Sequence, residues 1–140
     1  MFFRMLFVLP VLWLVLPATV ADRPLAPASV PGAQLVSAEQ VVELIGAQPD
    51  LNLSDSRRRE EFEKGHIEGA VNLLDTELTR AGLVKMAPAP SRPLLFYCNG
   101  ERCLRSSNSA EHALTWGYRK VYWFRGGWQE WTDKHLPITR

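Results

Sequence analysis

Cysteine is scarce in this chain. The 140 residues hold two, Cys98 and Cys103, too few for a multi-disulfide scaffold or a four-cysteine zinc site. An excess of either charge is missing as well, because 16 Lys and Arg face 15 Asp and Glu. With nothing to draw a phosphate backbone, the composition argues against a nucleic-acid partner. The three histidines, His66, His112 and His135, are spread along the chain and offer no clustered ligand set, so no metal and no other cofactor is expected. No internal repeat is visible, and no apolar run reaches the ~20 residues that a membrane-crossing helix needs. What is present, 46% hydrophobic and 22% charged residues, suits one globular domain with one core.

The apolar residues are unevenly spread. Residues 1–21 contain a single charge, Arg4, then an apolar stretch over 5–16 broken by Pro10, then the small-residue run Ala18-Thr19-Val20-Ala21. This layout predicts a secretory signal cleaved near Ala21, with no stable membrane insertion afterwards. Its loss removes Arg4 alone among the charged residues. A formally neutral chain is left in an exported, oxidising compartment such as the periplasm. Pro24, Pro27 and Pro31 follow with little hydrophobic periodicity, predicting an extended linker over 22–33 and a folded domain over 34–140.

Within that domain helical and strand-like patterns alternate. Ser37 and Gln40 have capping-box spacing, Val41, Leu44 and Ile45 share one helical face, and Gly46 is placed to end the helix. Residues 51–55 read as a strand, 60–64 as a charged helical turn around Phe62, 71–73 as a second short strand and 75–80 as another helical turn. Three prolines over 88–93 precede Leu94-Leu95-Phe96-Tyr97, an apolar run suited to a strand buried on both faces. A helix is expected from Asn108 to Trp116, with Ser106 or Asn108 as its cap and Gly117 as its stop. A last strand over 121–124, a Gly126-Gly127 turn and a closing helix over 128–134 complete the pattern, with Trp123, Trp128 and Trp131 as packing residues. Strands separated by helices predict an α/β fold, a mainly parallel sheet with helices on both faces, which binds ligands at the carboxyl ends of its strands.

Cys98 stands at such an end. The segment behind it, Asn99, Gly100, Glu101, Arg102, Cys103, Leu104 and Arg105, is polar, short and leads into a helix. A loop curled there aims backbone N–H groups, a helix dipole and guanidinium charge at its centre. Such surroundings lower the pKa of a cysteine from ~8.5 to between ~3.5 and ~7.5, making it a nucleophile at neutral pH. The same cradle fits a sulfur or phosphorus oxyanion. The expectation is attack by Cys98 on a small anion through a covalent intermediate.

Several spaced segments carry a resemblance. Asp55-Ser56-Arg57, Glu60-Glu61-Phe62 and residues 65–72, reading Gly-His-Ile-Glu-Gly-Ala-Val-Asn, are followed in order by Phe96-Tyr97-Cys98, Arg105-Ser106, Gly117-Tyr118, Val121-Tyr122 and Gly126-Gly127-Trp128 with Trp131. From about Gln34 to Pro137 the chain resembles a single-domain rhodanese, of the thiosulfate sulfurtransferase family. The resemblance implies a five-stranded parallel sheet flanked by helices. It also implies that Cys98 takes a sulfane sulfur as a persulfide and passes it to a thiol, to cyanide or to a protein acceptor.

The loop departs from the family pattern. Members usually have four residues between the cysteine and the arginine that opens the helix, whereas Cys98 and Arg105 are separated by six, so a wider cradle is expected. The related phosphatases and arsenate reductases also enlarge this loop, which keeps their chemistry open. The loop is most similar to that of exported rhodanese-like proteins with a second loop cysteine followed by Trp, a position that Leu104 fills here. Cys103 lies near enough in sequence to pair with Cys98, as a structural clip, a redox switch or a resolving thiol. Arg105 and Arg102 are candidates to bind the substrate anion. Asp55 and Arg57 are candidate buttresses of the loop or a plain surface ion pair. His66 reads as a loop-holding residue more than an acid or base, and Ser106 as a support. Three functions stand: an exported sulfurtransferase, a non-catalytic rhodanese-like binding module, and a thiol-disulfide redox protein.

Overall fold

Leu94-Leu95-Phe96-Tyr97 forms the central strand of the structure, a computed structural model that describes residues 14–17, 19 and 23–140. The expected leader over 1–21 falls for the most part outside the described residues. In chain order the elements are β1 (Gln34–Leu35), α1 (Ala38–Ala47), β2 (Asn52–Asp55), α2 (Arg59–Lys64), β3 (Val71–Asn72), α3 (Arg80–Met86), β4 (Leu94–Tyr97), α4 (Arg105–Thr115), β5 (Val121–Phe124) and α5 (Gly127–Asp133). The strands pair in parallel in the order β1-β5-β4-β2-β3. This is the expected α/β architecture.

β4 is buried along its whole length because it lies mid-sheet with both faces covered. Alternation along the strands divides the core in two. Leu94, Phe96, Val121 and Trp123 pack on one face against Leu83 of α3 and Ala110 and Ala113 of α4. Leu53, Leu95, Tyr97 and Phe124 pack on the other against Ala38 and Val41 of α1 and Trp131 of α5. No helix among the described residues is long and apolar enough to cross a membrane.

Local signals explain most boundaries, and competing ones explain the exceptions. The capping box forms as expected: Gln40 N donates to Ser37 Oγ at 3.2 Å, and Ser37 N donates to Gln40 Oε1 at 2.9 Å. The helix then runs through Gly46 to Ala47, since Gly46 is not among the glycines with positive φ and so does not form a stop. The turn expected over 75–80 gives way to α3, which starts later because Thr79 caps it, its Oγ1 accepting from Gly82 N at 3.0 Å. Helix α4 begins at Arg105, so Ser106 and Asn108 lie inside it instead of capping it. Ser106 Oγ accepts from Trp123 Nε1 at 3.0 Å, and Asn108 Nδ2 donates to Asp75 at 2.8 Å.

The proline-rich stretch is extended, yet it is packed on the domain and is no free linker. Ala26 and Val30 are 4% and 2% exposed and belong to the core that α3 and α4 cover. Ala26 N donates to Glu101 O at 2.6 Å, while Arg125 donates to the carbonyls of Pro27 and Ala26 at 2.9 and 3.0 Å. Two apolar anchors four residues apart are too sparse to read as an element. Proline-rich extended backbone has carbonyls free to accept from neighbours. Val30→Ala is therefore expected to lower stability by about 2 kcal/mol, read from the midpoint of urea unfolding; a segment that merely tethers would leave the midpoint unmoved.

Candidate active site

Helix α5 begins without a side-chain cap, which leaves its first N–H groups in need of acceptors. The loop after β4 provides them: Trp128 N donates to Cys98 O and Gln129 N to Asn99 O, each at 2.8 Å. Across a trans peptide the carbonyl and the following N–H point in opposite directions, and no peptide of the described residues is cis. With the carbonyls of Cys98 and Asn99 turned to α5, the N–H groups of Asn99 and Gly100 must point away from it. By the same geometry, the bond from Ala26 N to Glu101 O turns the Arg102 N–H away from the N-terminal stretch. Cys103 N closes the loop by donating to Gly100 O at 3.0 Å. Among the described residues, the backbone N–H groups of Asn99, Gly100, Glu101, Arg102 and Leu104 meet no acceptor, and no side chain caps α4. Unpaired amides beside the positive end of a helix favour negative charge.

This arrangement needs a glycine at 127. Its φ is +55°, and a β-carbon there would overlap Cys98 O and come within 3.2 Å of Gly100 N. The Gly126-Gly127 pair is thus what lets α5 start against the loop backbone.

Beneath the loop lies a buried polar network. Arg57, 1% exposed, pairs with the fully buried Asp55: Arg57 Nη2 is 2.6 Å from Asp55 Oδ2, and Arg57 Nε donates to the same carboxylate at 3.0 and 3.1 Å. Arg57 N donates to Asp55 Oδ1 at 2.9 Å, Arg57 Nη2 to Gly65 O at 2.8 Å, and Tyr97 Oη to Asp55 Oδ2 at 2.6 Å. The guanidinium lies 4.2 Å from the Trp128 ring centre, a cation–π distance. Tyr97 precedes the cysteine and Trp128 binds its carbonyl, so the network grips Cys98 from both sides. Burial first, then the Asp55 carboxylate, hold the Tyr97 phenol far above its ordinary 10.0, so it remains a donor. Asp55 and Arg57 form a buried pair, not a surface one.

The two cysteines are joined. Cys98 and Cys103 form a disulfide with Cα atoms 6.1 Å apart, inside the range such bonds require. Cys98 is 1% exposed, whereas Cys103 is partly exposed and lines a groove of about 1180 Å³. Asn99, Gly100, Glu101, Arg102, Leu104 and Arg105 line the same groove, and Asn99 Nδ2 donates to Glu61 Oε1 at 2.9 Å. Six cations face it, Arg23, Arg58, Arg102, Arg105, Arg125 and Lys134, against Glu101, Glu130 and Asp133. Arg125 pairs with Glu101 at 3.2 Å, and Lys134 with Glu39 at 2.7 Å and Glu130 at 3.6 Å. Arg23, Arg58, Arg102 and Arg105 enter no ion pair among the described residues and leave the groove positive.

The two loop arginines have partners within the protein that the sequence did not indicate. Arg102 Nη1 donates to Arg23 O at 2.7 Å and so holds the N-terminal stretch. Arg105 Nη1 lies 3.8 Å from the sulfur of Cys103, not from that of Cys98. His66 is outside the groove: its Nδ1 is 2.9 Å from Phe62 O, its ring stacks on Phe62 at 3.7 Å, and its backbone pairs with Thr139. Ser106 ties α4 to β5 through Trp123. Sequence reasoning missed Tyr97, Trp128, Gly127, Glu61, Arg58 and Arg125 as parts of the site. The signal for three of them, Tyr97, Gly127 and Trp128, was a tyrosine ending an apolar run and a Gly-Gly-Trp turn after a strand. No group of three His, Cys, Asp or Glu side chains among the described residues is placed to hold a metal.

Comparison with known proteins adds a family. The profile of the Rhodanese-like domain matches residues 37–134. The uncharacterized protein YibN of Escherichia coli (strain K12) is 28% identical over 92 residues, covering 65% of this chain and 62% of YibN. The chain thus spans under two thirds of that relative's length. The thiosulfate sulfurtransferase GlpE of Shewanella oneidensis is 31% identical over 98 residues, 70% of this chain and 91% of GlpE. In fold, the chain is similar to a thiosulfate sulfurtransferase from Pseudomonas aeruginosa, with a TM-score of 0.68 at 24% identity over 79% of this chain and 21% of that one.

Two outcomes test the geometry. Gly127→Ala is expected to cost about 3 kcal/mol or more, seen as a lower melting temperature, since the added methyl meets backbone that cannot yield; a stability within 0.5 kcal/mol of the parent, roughly the spread of a neutral surface change, would refute the close approach. For Tyr97 the folded phenol titrates above its unfolded value, so its stabilisation is complete below about pH 10 and is lost as pH rises further. The loss is about 1.4 kcal/mol per pH unit. Denaturant unfolding across that range should show a shallower decline in Tyr97→Phe than in the parent, and equal slopes would contradict the buried phenol.

Proposed function

The chain belongs to the rhodanese-like domain family, and on that premise we propose that it is a sulfurtransferase. It takes a sulfane sulfur from thiosulfate or a similar small anionic donor onto Cys98 and passes it to a thiol, cyanide or a protein acceptor. The reduced Cys98 thiolate attacks the outer sulfur of thiosulfate, the donor's sulfur–sulfur bond breaks, and sulfite leaves with the bonding electrons. A persulfide anion remains on Cys98. The observation that carries this reading is the direction of the loop amides: two carbonyls tied to α5 and one to Ala26 leave N–H groups with no acceptor around the loop. Such donors stabilise a thiolate and the persulfide that replaces it.

The groove suits the donor. Arg58 and Arg105 carry charges that no carboxylate neutralises, and they raise the local concentration of anions. While Cys98 is bonded to Cys103 it has no thiolate to offer, so the disulfide is an inactive form that reduction opens. The leader-like pattern of residues 1–21 supports an exported, oxidising compartment as the place of work.

The expected outcome is thiocyanate formation from thiosulfate and cyanide by the reduced protein. Loss of the nucleophile in Cys98→Ser should lower the rate by more than about 10³-fold, and protein kept oxidised should behave like that variant. Activity retained by Cys98→Ser, or no activity in the reduced parent beside hydrolysis of a phosphate ester, would overturn the reading in favour of the binding module or of phosphatase chemistry.

A further inference from the structure

Cys98 Sγ has one bond to give beyond its own Cβ, and in this structure Cys103 holds it. A transferred sulfur would occupy the same bond. The two states exclude each other: while the disulfide holds, Cys98 takes up no sulfur, and forming the disulfide on a loaded Cys98 expels the sulfur it carries. We propose that Cys103 is a resolving thiol that ends the Cys98 persulfide by releasing its outer sulfur as sulfide, making the chain a sulfane-sulfur reductase that consumes a dithiol. This rests on the sulfurtransferase reading above.

Three observations carry it. The loop already brings the two sulfurs together, with Cα atoms 6.1 Å apart and the turn fixed by the bond from Cys103 N to Gly100 O. An internal thiol held in this way acts at an effective concentration of roughly millimolar or above, ahead of most external acceptors. The exposures differ: Cys98 is 1% exposed at the foot of the loop, while Cys103 lines the groove. An external thiol therefore meets Cys103 first, and its attack there frees Cys98 as a leaving thiolate among the unpaired amides, which favours that direction of exchange. Finally, Arg105 Nη1 sits 3.8 Å from Cys103 Sγ, and a cation beside a sulfur favours the thiolate that does the attacking.

The step balances. Cys98 thiolate and thiosulfate give the Cys98 persulfide anion and sulfite. Cys103 passes its proton to that persulfide and its sulfur attacks Cys98 Sγ, the Cys98–outer sulfur bond breaks, and HS⁻ departs with the electron pair. The two cysteines are oxidised to the disulfide and the sulfane sulfur is reduced to sulfide. An external dithiol then reduces the bridge and is itself oxidised.

A single turnover decides the matter. Full-length protein, reduced with a dithiol and freed of it without air, receives one equivalent of thiosulfate; sulfite, sulfide and intact mass are measured. The parent is expected to release sulfide and sulfite in a ratio near one and to retain no sulfur. Cys103→Ser is expected to release sulfite without sulfide and to gain the mass of one sulfur atom, about 32 Da on Cys98. A parent that releases sulfite but keeps the sulfur on either cysteine, with sulfide below a tenth of the sulfite, overturns the proposal, and this arm stands even if the variant does not fold. Absence of sulfite from the parent removes the sulfurtransferase reading and the inference together.

Discussion

The site depends on where three backbone carbonyls point. Cys98 O and Asn99 O satisfy the first turn of α5, and Glu101 O satisfies Ala26 N. A planar trans peptide cannot turn its carbonyl outward without turning the next N–H the other way. The loop therefore becomes a set of donors through the needs of its neighbours, with no charged side chain among the described residues bonded to the Cys98 sulfur. Each partner gains: α5, which has no side-chain cap, finds acceptors for N–H groups that would otherwise be orphaned. Gly127 is the residue on which this exchange turns, because any side chain there would push the helix off the loop.

The buried Asp55–Arg57 pair fixes the same loop from below, and its energetics say how. Removing two charges from water costs several kcal/mol each, repaid only when geometry and hydrogen bonds are good. Here the carboxylate accepts from Arg57 Nε, Nη2 and backbone N and from Tyr97 Oη, while the guanidinium also reaches Gly65 O and the face of Trp128. A pair so fully satisfied adds little net stability compared with an apolar core, but losing either partner would strand a buried charge at a cost of about 3–5 kcal/mol. Its contribution is position. It joins the ends of β2 and β4 to the turn before Ile67 and to α5, the elements that meet at Cys98.

Most of the fold was legible because its signals are local. The Ser37–Gln40 box, the apolar β4 run and Gly117 each act within a few residues, and each appears where the pattern puts it. β1 was not legible from pattern, since two exposed residues carry no alternation. The docking of Ala26 and Val30 was hidden for a related reason: its energy lies in contacts with α3, α4 and residue 101, far along the chain. At the site, the loop that follows β4 and the Asp55–Arg57 pair were readable from residue type and spacing. The partners of the arginines were not. Arg102 and Arg105 were read as anion-binding candidates; the bond from Arg102 to Arg23 O depends on the docked N-terminal stretch, which has no local signature, and the contact of Arg105 with Cys103 Sγ accompanies a cysteine pairing whose spacing was visible in the sequence.

The loop after β4 and its second cysteine answer to one another. The segment between Cys98 and Arg105 is held at its start by α5, at Glu101 by Ala26 and Arg125, and at Arg102 by Arg23. A loop tied at so many points has little conformational freedom left for a disulfide to remove. On the loop-entropy account, closing so short a ring stabilises the fold by about 2 kcal/mol even when the chain is otherwise free, and less here. Stability is therefore a weak reason for a bridge at this place. On the sulfurtransferase proposal its effect on chemistry is larger, because it takes the bond through which Cys98 would carry sulfur and puts the more exposed sulfur, beside Arg105, toward the groove. The four residues between Cys98 and Cys103 give the chain length that lets position 103 reach back to Cys98, with the Cα atoms 6.1 Å apart.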